Sequence, residues 1–371
     1  MNNKKVLICS NYAWTIYNFR MPLIRNLKKK GYEIEVVTQF DGYEKKVGRE
    51  VNRINNLLIS REGTNPITDF FTLSHLFFIL IKTKPDIFLL FTIKPVIYGS
   101  IVSKLLKVPV IPTITGLGTV FIKENILTRI VKQLYRLAFS SVPIVFFQNQ
   151  DDMNLFINQK LLDKKKCYMS PGSGIDINAF SLQPLLKSEE KIFLFIGRML
   201  WDKGIGYFIE AAKKIKSKYP NVRFQLLGPC DVQNRTAIDI KDIDNWERDG
   251  VVEYLGETDD VVSYIKKSSC VVLPSYREGL SRVLLEAAAV GRPVIASDVP
   301  GCREVIDDGV NGFLSKPRDF NDLSDKIENI ILLSYESLEA MGLEGRKKVE
   351  EEFNKDIVCK LYTDAIKKVV E

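Results

Sequence analysis

Short, nearly continuous runs of Val, Ile, Leu and Phe punctuate this chain, separated by segments with helical spacing. In the first half the runs fall at Lys5–Cys9, Tyr32–Thr38, Asp86–Phe91, Val108–Thr113 and Ile144–Gln148, with helix-like stretches such as Met21–Lys30 and Asn125–Phe139 between them. A strand that is apolar on both sides must be covered on both faces, so this rhythm predicts a parallel sheet sandwiched by helices. It restarts at Ile192–Gly197 and continues through Ile205–Tyr219, Val222–Leu227, Val251–Leu255, Val261–Lys267, Cys270–Pro274, Ser281–Val290 and Pro293–Ser297. The expectation is an α/β protein of two Rossmann-like, doubly wound domains. Gln225–Gly250 has a charged, irregular centre that the pattern leaves unassigned.

Between the two series lies Ser170-Pro171-Gly172-Ser173-Gly174-Ile175-Asp176, then the charged stretch Gln183–Glu190, which reads as a crossing linker. The boundary is placed near residue 185, giving domains of 1–185 and 186–371. Open parallel sheets bind ligands beyond the carboxyl ends of their strands. Two such sheets facing each other would form an interdomain cleft.

With 371 residues, 46% of them hydrophobic and 27% charged, the chain suits two ordinary cores. Its formal charge of +7 divides unevenly, about +12 before residue 186 and −5 after it. A basic first half points to phosphate-bearing partners: lipid headgroups, nucleic acid or an anionic substrate. Six scattered cysteines and a single His offer no zinc-binding spacing, so a reduced, cytosolic protein is expected. The first residues lack signal-peptide anatomy, and no apolar run approaches the ~18 residues of a membrane span. Any membrane association is expected to be peripheral.

Two segments carry candidate chemistry. Gly197-Arg198-Met199-Leu200-Trp201-Asp202-Lys203-Gly204 follows an apolar strand and supplies a planar guanidinium and a compact ammonium. Such a pair suits a leaving diphosphate, although an ordinary strand-to-helix turn with solvated cations fits the same residues. The order Lys-Gly excludes a Walker phosphate loop. Glu278-Gly279-Leu280-Ser281-Arg282-Val283-Leu284-Leu285-Glu286 places two carboxylates eight residues apart, across a turn into an Ala-rich helix. That helix is nearly apolar all round, so a lone Glu286 within it needs hydrogen-bond donors, for which ribose hydroxyls qualify. Glu278 suits hydroxyls of a transferred sugar, and the Leu280, Ser281 and Arg282 amides at the helix start suit phosphate. Carboxylates would otherwise repel a diphosphate, so hydroxyl recognition accounts for both. The plain alternative is a turn carboxylate plus a surface carboxylate.

Gly116-Leu117-Gly118 lies between a strand and a probable helix, where glycine lets backbone approach a ligand or simply makes a tight turn. His75, in an apolar helix, reads as structural. Tyr17–Lys30 and Phe121–Arg136 interleave large apolar residues with cations, a pattern of solvated helix faces or of shallow contact with anionic lipid.

These motifs together resemble a family-4 retaining glycosyltransferase of the GT-B fold, over essentially the whole length. The residues that carry the resemblance are Glu278 with Glu286, Gly197-Arg198 with Lys203-Gly204, the Pro-Gly-x-Gly-Ile-Asp linker and Asp298-Val299-Pro300-Gly301-Cys302-Arg303-Glu304. Tyr17–Pro22, Thr115–Gly118 and Leu200–Gly204 are most similar to bacterial enzymes that extend polyprenyl-diphosphate-linked sugars, including N-acetylgalactosaminyltransferases of the bacillosamine pathway. The resemblance implies a UDP-sugar donor and a polyprenyl-diphosphate-linked acceptor held by the first domain. It also implies metal-independent transfer with retention, no permanently bound cofactor, and a last helix able to pack back on the first domain. Arg198 and Lys203 would bind the donor diphosphate, Glu286 the ribose and Glu278 the transferred sugar, with Gly197, Leu280, Ser281, Arg282, Gly116 and Gly118 lining the site. Thr113 and Thr115 stand where many relatives carry His or Glu.

No carboxylate nucleophile is evident in the first half, which fits front-face displacement. A non-hydrolysing UDP-sugar epimerase shares the fold but needs acid–base groups that a chain with one His scarcely offers. A basic nucleic-acid-binding module lacks any helix-turn-helix or RNA-recognition signature here and leaves the paired Glu motif unexplained. The expected setting is the cytoplasmic face of the plasma membrane, contacted through the basic first half.

Overall fold

The computed structural model describes residues 4–59, 65–117, 121, 126–188, 190–230, 232, 234 and 236–370. Two units emerge, one formed by the chain up to Gly174 together with Lys355 onward, the other by Ile175–Asn354. The first holds β1 (Lys5–Tyr12), β2 (Glu33–Gln39), β3 (Arg53–Asn56), β4 (Ile87–Phe91), β5 (Val110–Ile114), β6 (Val145–Phe147) and β7 (Cys167–Met169). They run parallel in the order β3-β2-β1-β4-β5-β6-β7. The second holds β8 (Ile192–Ile196), β9 (Arg223–Leu227), β10 (Glu253–Tyr254), β11 (Cys270–Leu273), β12 (Val294–Ser297) and β13 (Gly312–Ser315). These are also parallel, in the order β10-β9-β8-β11-β12-β13. Each unit is therefore doubly wound, with its strand order reversing beside β1 and β8, respectively.

The central strands are apolar on both sides because helices cover both faces. Leu7, Phe88, Leu90 and Phe147 face one core of the first unit, whereas Val6, Ile8, Leu89 and Phe146 face the other. In the stretch left unassigned from sequence, a loop after β9 leads into the helix Ile240–Arg248, capped by the Asp239 side chain on the Lys241 amide.

The boundary lies at Gly174–Ile175, not near 185. Ile175 and Leu185 are buried in the second unit's core, and the Ile175 amide donates to the Phe353 carbonyl at 2.8 Å. Further along, the fully buried Arg292 guanidinium donates to the carbonyls of Gln183 and Pro184, both at 2.9 Å. Residues that look like a linker are thus fastened to the second unit. The chain then returns, because the helix Lys355–Val370 buries Val358, Tyr362 and Ile366 in the core of the first unit.

Tyr362 is the anchor of that helix. Its ring sits 4.9 Å from Phe146 and 5.8 Å from Phe91, and its hydroxyl lies 2.6 Å from the Thr113 hydroxyl. Thr113 is therefore a buried structural partner. The segment Tyr17–Lys30, read as a candidate lipid contact, is likewise corrected: Met21, Leu23, Ile24 and Leu27 of the helix Met21–Lys29 are buried in the same core. His75 accepts the Leu58 amide through Nδ1 at 3.2 Å, a structural contact.

Replacing Tyr362 by Ala is expected to destabilise the first unit by about 3–5 kcal/mol, the usual cost of deleting a buried ring. Tyr362→Phe keeps the ring and should cost only about 1 kcal/mol. Urea unfolding curves of the two variants check the ranking.

Candidate functional site

The site grows from loops at the carboxyl ends of β8, β11 and β12. After β8 comes Gly197-Arg198-Met199-Leu200, then a single 3₁₀ turn, Trp201–Lys203, and the helix Ile205–Lys218. Gly204 joins turn and helix with φ of 77°, and a Cβ there would lie 1.9 Å from the Pro274 carbonyl oxygen. Only glycine permits that conformation and that approach. The close contact presses the turn against the end of β11, where the Tyr276 amide donates to the Asp202 carbonyl at 3.0 Å. From the β9 side, Trp201 donates its amide to the Thr236 carbonyl at 2.8 Å, and the Thr236 hydroxyl donates to the Asp202 carboxylate at 3.2 Å.

A second seam joins the loops after β11 and β12. Glu278 donates its amide to the Pro300 carbonyl at 3.0 Å, and Ser281 donates its amide to Gly301 at 2.7 Å. Gly301, with φ of 81°, would place a Cβ 2.6 Å from the Glu278 carbonyl. Its own amide is bound by the Glu304 carboxylate at 2.7 Å. Ser281 caps the helix Arg282–Ala289, its hydroxyl accepting the Leu284 amide at 3.4 Å.

These seams set two cation–carboxylate pairs. Lys203 Nζ lies 2.5 Å from Glu278 Oε1, with only 23% and 14% of the two side chains exposed. Arg282 Nε donates to Glu286 Oε1 at 2.6 Å, one turn along the same helix. Burial raises the Glu286 pKa, and the Arg282 charge and hydrogen bond offset part of that rise. Burial, reinforced by the Glu278 charge, likewise pushes the Cys302 thiol up. Arg198 stands half-buried on the β8 loop beside Gly197.

Gly197, Arg198, Lys203, Glu278, Leu280, Ser281, Arg282 and Glu286 thus all belong to adjoining loops and one short helix of the second unit. Gly116 follows β5 in the first unit with φ of 127°, and Gly118 lies outside the described residues. Two readings from sequence are corrected. The Ser281 amide, expected to face phosphate, is engaged by Gly301, because the loop after β12 folds over the helix start. Glu286, expected to look beyond the protein for its donors, has Arg282. Sequence reasoning passed over Asp202, Thr236 and Tyr276, which fasten the β8 loop, and Arg318, whose guanidinium stacks 4.6 Å from the Tyr276 ring centroid. The i,i+4 spacing of Arg282 and Glu286 was the one available signal for their pairing. Among the described residues no group of three or more His, Cys, Asp or Glu is placed to hold a metal.

A family model described as glycosyl transferases group 1 matches residues 176–348, and one described as glycosyl transferase 4-like matches residues 5–149. The chain belongs to the glycosyltransferases. The Campylobacter jejuni N,N'-diacetylbacillosaminyl-diphospho-undecaprenol alpha-1,3-N-acetylgalactosaminyltransferase is 28% identical to it, over 98% of each chain. An Escherichia coli UDP-Gal:alpha-D-GlcNAc-diphosphoundecaprenol alpha-1,3-galactosyltransferase is 27% identical over 81% of each. A crystal structure of a glycosyltransferase from Rickettsia africae superposes with a TM-score of 0.82 at 18% identity, covering both chains completely. The glycosyltransferase has the GT-B fold, and its paired charges lie within the half matched by the group 1 model.

Because Glu286 titrates higher in the folded protein than in the unfolded chain, folding favours its protonated form. That stability is present at acid pH and is lost as pH rises through the folded-state value, so the ionised carboxylate is a net cost near neutrality. Glu286→Gln should therefore raise the melting temperature at pH 7.5, with the gain shrinking toward pH 4. Thermal denaturation across that range checks it; a lower melting temperature at pH 7.5 would show that the Arg282 pair outweighs burial.

Proposed function

We propose that this glycosyltransferase moves a hexose or N-acetylhexosamine from a UDP-sugar to a polyprenyl-diphosphate-linked saccharide, with retention at the anomeric carbon, as a family-4 enzyme of bacterial surface-glycan or glycoprotein-glycan assembly. The observation that carries the reading is the two ion pairs with largely buried carboxylates, Lys203–Glu278 and Arg282–Glu286, on loops and one short helix beside the strand-order reversal of the second sheet. A diphosphate needs cations and a sugar needs hydroxyl acceptors, and both sets stand together there. The names of the Campylobacter and Escherichia relatives, which describe lipid-diphosphate-linked acceptors, support the acceptor class, and the latter name supports a UDP-sugar donor.

In this reading the acceptor hydroxyl attacks the anomeric carbon on the face from which the diphosphate departs. The new carbon–oxygen bond forms as the bond to UDP breaks, and the hydroxyl proton passes to a β-phosphate oxygen. Arg198 and Lys203 stabilise the charge growing on that phosphate. As Lys203 turns to the diphosphate, Glu278 is freed to accept hydrogen bonds from the transferred sugar. Glu286, held by Arg282, accepts from the ribose. Gly116 lets the backbone after β5 approach a ligand closely, and the enzyme works at the cytoplasmic face of the plasma membrane.

A screen of UDP-sugars against synthetic polyprenyl-diphosphate sugars, scored by product mass, tests the reaction; absence of a heavier lipid-linked product with every donor would reject it. Arg198→Ala and Lys203→Ala should each lower turnover by about 100- to 1,000-fold with the fold intact. Unchanged kinetics in both would remove the assigned roles. Glu286→Ala should weaken UDP binding by about tenfold, read by calorimetry.

A further inference from the structure

The helix Pro66–Thr83 is apolar on two opposite sides. One side places Leu76, Ile79 and Leu80 in the core against the sheet of the first unit. The other carries Ile67, Phe70, Phe71, Phe78 and Ile81, which stand between 45% and 67% exposed. Their spacing of i, i+3, i+4, i+11 and i+14 collects them on a single stripe. Scattered exposed apolar residues are ordinary, but five on one stripe, three of them Phe, form a patch that calls for a partner.

The patch belongs to a larger layer. The helix Ile93–Leu106 packs against Pro66–Thr83 and against the helix Ile126–Phe139, and all three are rooted in one core on one face of the sheet. Their outward surfaces add Leu105, Ile130 and Leu137, each about half exposed or more. These three helices carry six cations, Lys82, Lys94, Lys104, Arg129, Lys132 and Arg136, and one acid, Asp69, which the largely buried Lys94 pairs at 2.7 Å. An exposed apolar stripe on a helix layer with a strong excess of cations complements an anionic bilayer.

We propose that the outer surface of this helix layer, centred on Phe70, Phe71 and Phe78, docks on a bilayer of anionic phospholipid. The inference deepens the reading above, since the choice of a bilayer rests partly on a lipid-linked acceptor. A second copy of the chain is the poorer occupant, because a two-fold contact through this face would set its cations against themselves. The surface replaces the helix Met21–Lys29, whose apolar side is buried, and keeps Ile126–Phe139 as its flank. Among the described residues no helix is long and apolar enough to cross a membrane, so attachment would be lateral.

Flotation of the full-length protein on phosphatidylcholine vesicles, with and without phosphatidylglycerol, tests this. The wild type should rise with the phosphatidylglycerol vesicles and far less with phosphatidylcholine alone. The exposed-residue variant F70S/F71S/F78S should lose about tenfold or more in vesicle binding, while keeping its circular dichroism and melting temperature. A wild type that stays at the bottom, or a triple variant that floats equally well, would overturn the proposal. So would a wild-type dimer that the triple substitution splits without any flotation, which would give the face to a second copy. Flotation requires no sugar, so its failure leaves the transfer reaction standing, and a barren donor screen leaves the docking surface standing.

Discussion

Two backbone contacts that only glycine allows hold the chemistry of the second unit in register. At Gly204 the turn after β8 closes on Pro274, and at Gly301 the loop after β12 closes on Glu278. Any side chain at either place would push two loops apart and separate groups that now stand within hydrogen-bond distance. The positions of Lys203 and Glu278, 75 residues apart in sequence, follow from those contacts rather than from either loop alone. What the glycines fix is therefore an electrostatic arrangement as well as a fold.

That arrangement is balanced and poised. Each largely buried carboxylate has a cation beside it, which keeps the cost of burial moderate, and each cation keeps part of its surface in solvent. Glu286 sits on a helix whose other buried members are Leu284, Leu285, Ala287, Ala288 and Ala289, an apolar setting that resists its ionisation. A protein designed only for stability would place an apolar residue there. Retaining a carboxylate there fits the recognition role proposed for Glu286.

Much of this was legible in the sequence because the central strands are continuous apolar runs. β4, β8 and β11 lie within the runs read as strands, β1 overruns its run only at the end, through Tyr12, and the doubly wound architecture follows from them. Of the edges only β10, inside the run Val251–Leu255, was legible: β3 is Arg-Ile-Asn-Asn, β7 has three residues and β13 begins with Gly, so these three show no strand pattern. The unit boundary was misplaced because residues 175–185 are turn-rich, and turn chemistry does not say to which core a loop is tied. That depended on Arg292, which reaches the carbonyls of Gln183 and Pro184 more than 100 residues upstream. The site residues were visible as a motif, whereas their pairing was partly hidden. The Ser281 amide could be assigned correctly only with the loop from β12 in place.

The return of the helix Lys355–Val370 to the first unit makes the second unit an insertion within the first. During synthesis the inserted unit has all of its residues before the outer one receives Tyr362, its last aromatic core side chain. The sheet of the first unit thus leaves the ribosome half-assembled and must wait, without the Tyr362 ring beside Phe91 and Phe146, for the sixteen residues of that helix to arrive. In this chain the usual order of vectorial folding is inverted, and the interval before that helix arrives is the period of greatest exposure to chaperones and to aggregation.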